Sequence, residues 1–290
     1  MICERNGIAG SSIERFAGGS VPVYAIGESF VLKLCPPFEI EERNNESLAL
    51  RVLARRLPIP TPHVHAVGEL DGWGYILMSR LEGVSLADAW PRINGEDRLR
   101  LAQSLGESLA ALHALRDSRL AKLRGDWDGF IGGQRENYLE RQKMRGLDLY
   151  WLEQIPKFLE SAPLGAGRTD SLLHTEVMRE HVLVRQGSEG WTLTGLFDFE
   201  PAMIGAPEYE FAAVGLFLSC GDPAILRRVL IAYGYAENQL DAGLQNRFLA
   251  YTLLHRYSNL PWYFRRLPPP DSVRSLSDLA AHWWGLAESR

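Results

Sequence analysis

A change of hydrophobic period along the chain constrains the fold more than any other feature of the sequence. Up to about residue 81, short runs rich in β-branched and aromatic residues, such as VPVYAI, FVLKL and YILMSRL, are separated by turn residues, which is typical of β-strands. From residue 96, the segment EDRLRLAQSLGESLAALHAL repeats leucine every three or four residues, which predicts a buried helix. Strands followed by helices indicate the α+β class.

The strand-rich portion predicts a small antiparallel sheet that carries one helix. The GES turn joins VPVYAI to FVLKL as a hairpin, and the DGWG turn joins HVHAVGEL to YILMSRL. Between the hairpins, residues 39–57 have apolar residues at helical spacing, and the PIPTP segment ends that pattern. We therefore expect one helix packed against two hairpins.

Helices are expected through most of the remaining chain. Two apolar runs interrupt them, SLLH with HVLV and then WTLTGLFDF after a QGSEG turn, and we interpret these as a strand pair that brackets a polar loop. Residues 208–290 are expected to be helical apart from the LPPPD break. The polar loop is where we expect the chemistry.

Composition and charge narrow the classes of partner. The net charge is -5 over 290 residues and the basic residues are scattered, so the sequence shows no basic patch that would bind nucleic acid. The negative charge suits a cationic substrate, although a net charge this small more often serves solubility. Cys3, Cys35 and Cys220 have no CxxC spacing, which favours a reducing cytoplasm over a disulfide framework or a zinc site. The N-terminal residues lack a signal-peptide pattern, and no run reaches the roughly 18 apolar residues of a membrane span, so we expect neither export nor membrane attachment.

Polar residues of the loop and the following strand end carry the candidate chemistry. His174, Glu176 and His181 lie in HTEVMREH, and Asp198 lies in LFDFE. Phosphoryl transfer needs a group that orients or deprotonates the acceptor hydroxyl, and ligands for the metal that neutralises the transferring phosphate. Either carboxylate alone would more often be a solvated loop residue, but the whole pattern favours a phosphotransferase site.

These two segments resemble motifs of the aminoglycoside phosphotransferase and choline kinase superfamily, whose catalytic loop reads HxDxxxxN and whose metal-binding strand end reads DF or DW. The resemblance continues in the same order through VYAIGESFVLKL, LPIPTPHVHAVGE, YILMSRLEG and LGESLAALHAL. The segment FDFEPAMIGAPEYEFAAVG is similar to the one after the metal aspartate in hygromycin kinases, with Glu210 where many relatives carry Asp.

The resemblance implies a protein-kinase-like fold of two lobes. A nucleotide-binding lobe over residues 1–80, with the small antiparallel sheet and one helix, would join a mainly helical lobe over residues 83–290 through a hinge at about 78–82. The helical lobe would contain the catalytic loop and the acceptor site. The implied cofactors are ATP, or GTP, and Mg²⁺. The implied partner is a small hydroxyl acceptor, expected to be cationic, and the protein would be a monomer or a homodimer.

The same resemblance assigns residues to the nucleotide. Lys33 would contact the α- and β-phosphates, and Glu46 on the following helix would pair with it. Ser20, in the GGS turn, would cover the phosphates, although such a turn is more often only a hairpin connection. Backbone groups of Ser79 and Leu81 in the hinge would hydrogen-bond adenine.

Two positions depart from the family's catalytic loop. Glu176 replaces the aspartate that acts as base, and it has the same chemistry on a longer arm. His181 replaces the asparagine that helps to bind metal; because imidazole suits zinc and manganese better than magnesium, His181 would bind metal weakly or contact a phosphate instead. Asp198 keeps its role as a magnesium ligand, and His174 is interpreted as a structural support of the loop.

The acceptor side is less well defined by the sequence. Acidic and aromatic residues supply the candidates, although an aromatic residue is more often part of the core. The candidates are Glu200, Glu208, Asp222, Tyr257, Trp262 and Trp283.

Three functions are compatible with these residues. The first is an ATP-dependent O-phosphotransferase for an aminoglycoside-like acceptor, which would confer antibiotic resistance, and the second is a kinase of another small metabolite. The third is a nucleotide-binding pseudokinase, in which the replacements at Glu176 and His181 have weakened catalysis. We favour an enzyme because Lys33, Glu46 and Asp198 are all present. A protein kinase is disfavoured because the chain has no HRD-type loop, DFG glycine or APE segment.

Overall fold

The strands of the first 80 residues form the small antiparallel sheet that the sequence predicts. The computed structural model describes residues 1–123, 125–165 and 169–286. The strands of this sheet are Ile13–Arg15 (β1), Val23–Ile26 (β2), Phe30–Cys35 (β3), Val64–Leu70 (β4) and Trp73–Ser79 (β5). Their order in the sheet is β1-β2-β3-β5-β4, so both predicted hairpins are confirmed.

The two faces of this sheet have different roles. Ile26, Leu32, Tyr75 and Leu77 form a buried apolar cluster on one face. Because side chains alternate along a strand, Lys33 lies on the opposite face from Leu32. The sheet therefore has an apolar face and a face that holds a lysine.

A short helix, Ile2–Arg5 (α1), precedes the sheet, and the helix Ile40–Leu53 (α2) packs against β4 and β5. The predicted helix reached residue 57, but α2 ends at Leu53 because Ala54 leaves the helical backbone angles. Arg55 then adopts a φ of +58°. Residues that precede proline avoid the helical conformation, so the chain turns before it reaches Pro58.

A three-stranded sheet contains the strands on either side of the QGSEG turn. The residues Val84–Ser85 (β6), Val182–Gly187 (β8) and Gly190–Leu196 (β9) form it in the order β6-β8-β9. The SLLH strand, Ser171–Leu173 (β7), pairs instead with Met203–Gly205 (β10). The predicted strand pair across the QGSEG turn is therefore confirmed as the β8–β9 hairpin, whereas SLLH, which the sequence grouped with HVLV, belongs to a different sheet.

The later part of the chain is helical, as the sequence predicts. Its helices are Leu86–Ala89 (α3), Gly95–Ala114 (α4), Trp127–Met144 (α5), Leu149–Leu152 (α6), Ile155–Ser161 (α7), Glu210–Ala213 (α8), Pro223–Tyr233 (α9), Ala242–Leu253 (α10), Leu260–Arg266 (α11) and Leu276–Trp284 (α12). A π-helical segment, Val214–Ser219, continues α8. The LPPPD break falls between α11 and α12.

The helix α4 is the centre of this helical part. Its leucine stripe is buried, with Leu109 and Leu112 fully inaccessible to solvent. A Cβ atom at Gly106 would lie 2.3 Å from the carbonyl oxygen of Val229 on α9. The glycine therefore allows α4 and α9 to pack closely.

The described chain divides into two compact units that draw on separate stretches of sequence. The first unit consists of Met1–Pro91, Arg116–Leu123 and Glu180–Ala202. The second consists, among the described residues, of Arg92–Leu115 and residues 125–165, 169–179 and 203–286. The β8–β9 hairpin thus packs with the N-terminal sheet, whereas the boundary between functional lobes at about residues 78–82 stays a prediction. No helix in the described ranges is both long and apolar enough to span a bilayer.

Candidate active site

A buried lysine in the first unit is surrounded by three carboxylates. The Lys33 side chain, which is 7% exposed, extends from β3. Its Nζ atom lies 2.9 Å from Oε2 of Glu46, 2.8 Å from Oδ1 of Asp198 and 3.0 Å from Oε2 of Glu200. The structure therefore brings together Lys33, Glu46 and Asp198, which the sequence singles out for the nucleotide and the metal. The structure also places Glu200 in contact with Lys33, whereas the sequence suggested Glu200 only as a residue that binds the acceptor.

The charges of this cluster explain why the lysine can be buried. Burial lowers the pKa of Lys33, but the carboxylates of Glu46, Asp198 and Glu200 outweigh that effect and hold its pKa well above the usual value. Burial also raises the pKa of Glu46, against the opposing charge of Lys33. A buried charge is tolerated when it is paired, and here the acidic groups outnumber the ammonium. The cluster therefore has a surplus of acidic groups that favours an additional cation.

Asp198 occupies a special backbone position just beyond β9. Its φ of +69° lies in the left-handed region, where non-glycine residues are uncommon and aspartate is one of the better tolerated. Its Oδ2 atom lies 3.3 Å from Nε2 of His181, while its Oδ1 atom accepts a hydrogen bond from Lys33. The backbone turn thus places one oxygen on the lysine and the other beside the histidine.

The oxygen donors of this cluster fit a magnesium ion. Among the described residues, no group of three or more histidine, cysteine, aspartate and glutamate side chains is arranged as a metal cage. Magnesium does not require one, because it usually keeps several waters and binds one or two carboxylates together with substrate phosphates. Asp198 and Glu200 are partly exposed, at 32% and 20%, so their carboxylates can provide such ligands.

The remaining predicted nucleotide residues lie in loops of the first unit or, in the case of Ser79, at the end of β5. Ser20 is exposed, and it follows Gly19, which has a φ of +109°. The backbone N–H of Ser79 donates to the carbonyl of His63 at 2.8 Å, so a contact from Ser79 to adenine would fall to its carbonyl oxygen. Leu81 packs tightly on Gly195, where a Cβ atom would lie 2.6 Å from Leu81 Cδ1. The nucleotide contacts of Ser20, Ser79 and Leu81 stay predictions.

In the second unit, the carboxylate of the buried Glu210 holds the loop that follows β7 through two hydrogen bonds, to His174 and Thr175. We call this pair of hydrogen bonds the brace. Oε2 of Glu210 accepts the backbone N–H of His174 at 2.7 Å, and Oε1 accepts that of Thr175 at 2.8 Å. Nε2 of His113 lies 3.4 Å from Oε2 of the same carboxylate. Burial alone would raise the pKa of Glu210, but the hydrogen bonds and charges from His113 and His174 lower it below the usual value. The carboxylate is therefore ionised at neutral pH.

The brace positions the residue that the sequence proposes as the base. Nδ1 of His174, a fully buried side chain, lies 3.3 Å from the backbone nitrogen of Glu176. The structure thus places His174 in a position that supports the loop. The resemblance to hygromycin kinases identified Glu210 as a residue that many relatives replace with Asp. Its contact with the loop could not be predicted, because it depends on tertiary packing.

Glu176 lines a pocket of about 300 Å³ in the second unit. Of the acceptor candidates, Tyr257 and Trp262 also line this pocket. Residues that the sequence did not single out complete it, among them Phe217, His255 and Tyr263.

The other acceptor candidates of the second unit have different surroundings. Trp283 is a core residue with 1% exposure. The carboxylate of Glu208 pairs with Arg247 at 2.9 Å, and Asp222 caps the N-terminus of α9. None of these three is among the described residues that line the pocket of Glu176.

Comparison with known proteins gives one family match and a set of similar folds. A model of a phosphotransferase enzyme family matches residues 12–244. No curated protein matches the chain significantly.

Three solved structures illustrate the similarity in fold. The GDP complex of aminoglycoside 2'-phosphotransferase-IIIa is 20% identical, with a TM-score of 0.74 over 92% of this chain and 94% of that one. A complex of streptomycin, ATP and APH(2")-IIa is 16% identical, with a TM-score of 0.63 over 86% of this chain and 87% of that one. Macrolide 2'-phosphotransferase MphH from Brachybacterium faecium is 20% identical, with a TM-score of 0.63 over 93% of this chain and 97% of that one. The predicted protein-kinase-like α+β fold is thereby confirmed.

Proposed function

Because this chain belongs to the phosphotransferase enzyme family, we propose that it transfers the γ-phosphoryl group of ATP to a hydroxyl of a small, antibiotic-like acceptor. The observation that carries the proposal is the contact of one buried lysine, Lys33, with both Glu46 and Asp198. Kinase-like phosphotransferases need a lysine held by a glutamate for the phosphates and an aspartate for the metal. A decayed site would have no reason to keep these three groups together.

Lys33 and the residues around it would bind the nucleotide. The Lys33 ammonium would contact the α- and β-phosphates, and Glu46 would hold it in position. Ser20 would cover the phosphates, and the backbone of Ser79 and Leu81 would contact the base. Similar structures contain GDP in one case and ATP in another, so we propose ATP as the donor with GTP as the alternative.

The metal ligands that we propose are Asp198 and His181. When bound there, Mg²⁺ would offset the negative charge of the phosphates. Oδ2 of Asp198 lies 3.3 Å from Nε2 of His181, so one ion would be within reach of both side chains. Because the imidazole is a weaker ligand for magnesium than for manganese, Asp198 would be the main ligand.

Glu176 would act as the general base. Its carboxylate would accept the proton of the acceptor hydroxyl while the hydroxyl oxygen forms a bond to the γ-phosphorus, and the bond from that phosphorus to the bridging oxygen breaks to release ADP. The position of Glu176 in a pocket lined by Tyr257 and Trp262 supports this role. The brace from Glu210 would keep the carboxylate in place.

The similar structures support two classes of antibiotic as candidate acceptors. One of these structures is a complex with streptomycin, and another is of a macrolide phosphotransferase. If the acceptor is such an antibiotic, the enzyme would confer resistance. A kinase of another small hydroxylated metabolite is the alternative.

ADP release with a panel of acceptors tests the proposal. We expect one class among aminoglycosides, macrolides, sugars and choline to give a phosphorylated product that mass spectrometry identifies. Glu176→Gln should lower kcat by about 10²–10⁴-fold, the range for loss of a general base, and should leave nucleotide binding intact in a thermal-shift assay. Nucleotide binding by the parent protein with no product from any acceptor would support a pseudokinase instead.

A further inference from the structure

The pocket that contains Glu176 has an uncharged lining apart from that carboxylate. Among the described residues around it, the others are apolar, aromatic or neutral polar side chains, together with His255. Burial lowers the pKa of His255 to about 4, so its ring is neutral at pH 7. The pocket thus offers a single acidic group, and the proposed function uses that group on the reacting hydroxyl.

Aromatic side chains form one wall of this pocket. The rings of Phe217 and Trp262 lie 5.5 Å apart between centroids. Trp262 is 39% exposed and Tyr257 is 47% exposed, although both are large aromatic residues that usually bury more of their surface. Such partly exposed rings provide flat apolar surface with a polar edge. This wall is suited to the face of a small ring.

Positive charge borders the same wall. The guanidinium carbon of Arg266 lies 5.7 Å from the centroid of Phe217 and 5.7 Å from that of Trp262. Arg145 donates to the backbone carbonyls of Tyr257 and Ser258. A cationic group of the acceptor would have to compete with Arg266 for the aromatic faces and would be repelled by it.

Resting on the phosphotransferase function proposed above, we propose that this pocket takes an uncharged hydroxylated ring, and that Arg266 disfavours acceptors with several ammonium groups. The volume of about 300 Å³ is that of a small ligand pocket. The cationic acceptor expected from the net charge is not favoured here, because Glu208 and Asp222 are engaged with Arg247 and with α9.

Matched acceptors that differ in charge test this inference. We would measure kcat/KM for 2-deoxystreptamine and for the cyclitol that has hydroxyls in place of its two amino groups, and for glucosamine and glucose, which differ by an ammonium group in place of one hydroxyl. The neutral member of each pair should be the better acceptor. Higher kcat/KM for the charged members would overturn the inference while leaving the proposed phosphotransferase function intact.

Charge reversal at Arg266 supplies a second test on the same acceptors. Arg266→Glu should raise kcat/KM for the charged acceptors by about tenfold relative to the neutral ones, since it replaces repulsion by attraction near the pocket. Arg265→Glu is the matched control, because this exposed neighbour makes the same change of charge on α11. Equal effects of the two variants would mean that Arg266 does not determine specificity. If the protein binds nucleotide but phosphorylates none of the aminoglycosides, macrolides, sugars and choline, the proposed phosphotransferase function is wrong. The inference about the pocket is then wrong as well, because it rests on that function.

Discussion

Oε1 of Glu210 accepts a hydrogen bond from the backbone N–H of Thr175 at 2.8 Å, and Thr175 holds a φ of +73°. Left-handed backbone angles are unfavourable for β-branched residues, and such strain persists only where neighbouring groups enforce it. The buried carboxylate of Glu210 contributes to holding it, together with His255, whose Nε2 lies 3.3 Å from the carbonyl oxygen of Thr175. The position of Glu176, the next residue, therefore depends on a side chain 34 residues further along the chain.

Replacement of Glu210 should affect turnover more than nucleotide binding. In Glu210→Gln, one amide group replaces an oxygen and cannot accept a backbone N–H, so we expect a loss of about 1–3 kcal/mol in the free energy of unfolding. A displacement of Glu176 by about 1 Å should lower kcat about a hundredfold. Chemical denaturation and steady-state kinetics measure the two effects. Glu208→Gln, on a partly exposed ion pair, is the control; a Glu210→Gln enzyme with unchanged kcat would show that the brace does not position the base.

Removal of the Lys33 charge should destabilise the first unit as well as weaken nucleotide binding. Lys33→Met leaves the buried Glu46 carboxylate without its counter-ion, which costs about 3–5 kcal/mol in comparable cases. The double variant with Glu46→Leu should recover part of that stability, because no buried charge is then left unpaired, but it should not recover nucleotide binding. Denaturant unfolding and nucleotide titration separate the two properties. The control is Lys122→Met, at an exposed lysine, which should change neither stability nor nucleotide binding. Equal instability of the single and double variants would argue against the pairing of Lys33 with Glu46.

His181 should influence the choice of metal. Because amide oxygen suits magnesium better than imidazole does, His181→Asn should raise the ratio of kcat with Mg²⁺ to kcat with Mn²⁺. Parallel assays with each metal at saturating nucleotide measure that ratio. His282→Asn, at an exposed histidine, should leave it unchanged. A ratio that does not respond to His181→Asn would place His181 outside the metal's ligands.

His255 should make the protein less stable in acid. Burial lowers its pKa from 6.5 to about 4, so the unfolded chain binds a proton at a higher pH than the folded one does. Folding stability should therefore fall as the pH drops from about 6.5 towards 4, by about 3 kcal/mol in all. The free energy of unfolding measured at pH 7 and pH 5 should differ less in His255→Gln than in the parent. An identical pH dependence in both proteins would contradict this expectation, and His282→Gln serves as the control.

The elements that the sequence predicts well are those with a local signal. Alternating apolar residues on either side of a turn identify the β2–β3 hairpin. Leucines repeated every three or four residues identify α4. Lys33 and Asp198 became candidates through their match to the family's motifs, before any contact was known; Lys33 lies within β3 and not at its end.

Features that depend on distant packing have no comparable signal. The strand β10 is only the three residues Met203–Gly205, so its pairing with β7 could not be inferred, and the sequence grouped SLLH with HVLV instead. The contact of Glu200 with Lys33, and the contribution of His255 and Phe217 to the pocket of Glu176, arise only when separate segments pack together.

The first compact unit is assembled from three stretches of the chain, and this has a practical consequence for dissecting the protein. Lys33 and Asp198 are 165 residues apart in sequence, so a truncated product that ends after residue 91 would retain the lysine and Glu46 but lack the remaining acids. We expect such a fragment to fold poorly and to bind nucleotide weakly. A split version would need to supply residues 180–202 in trans to restore the complete cluster.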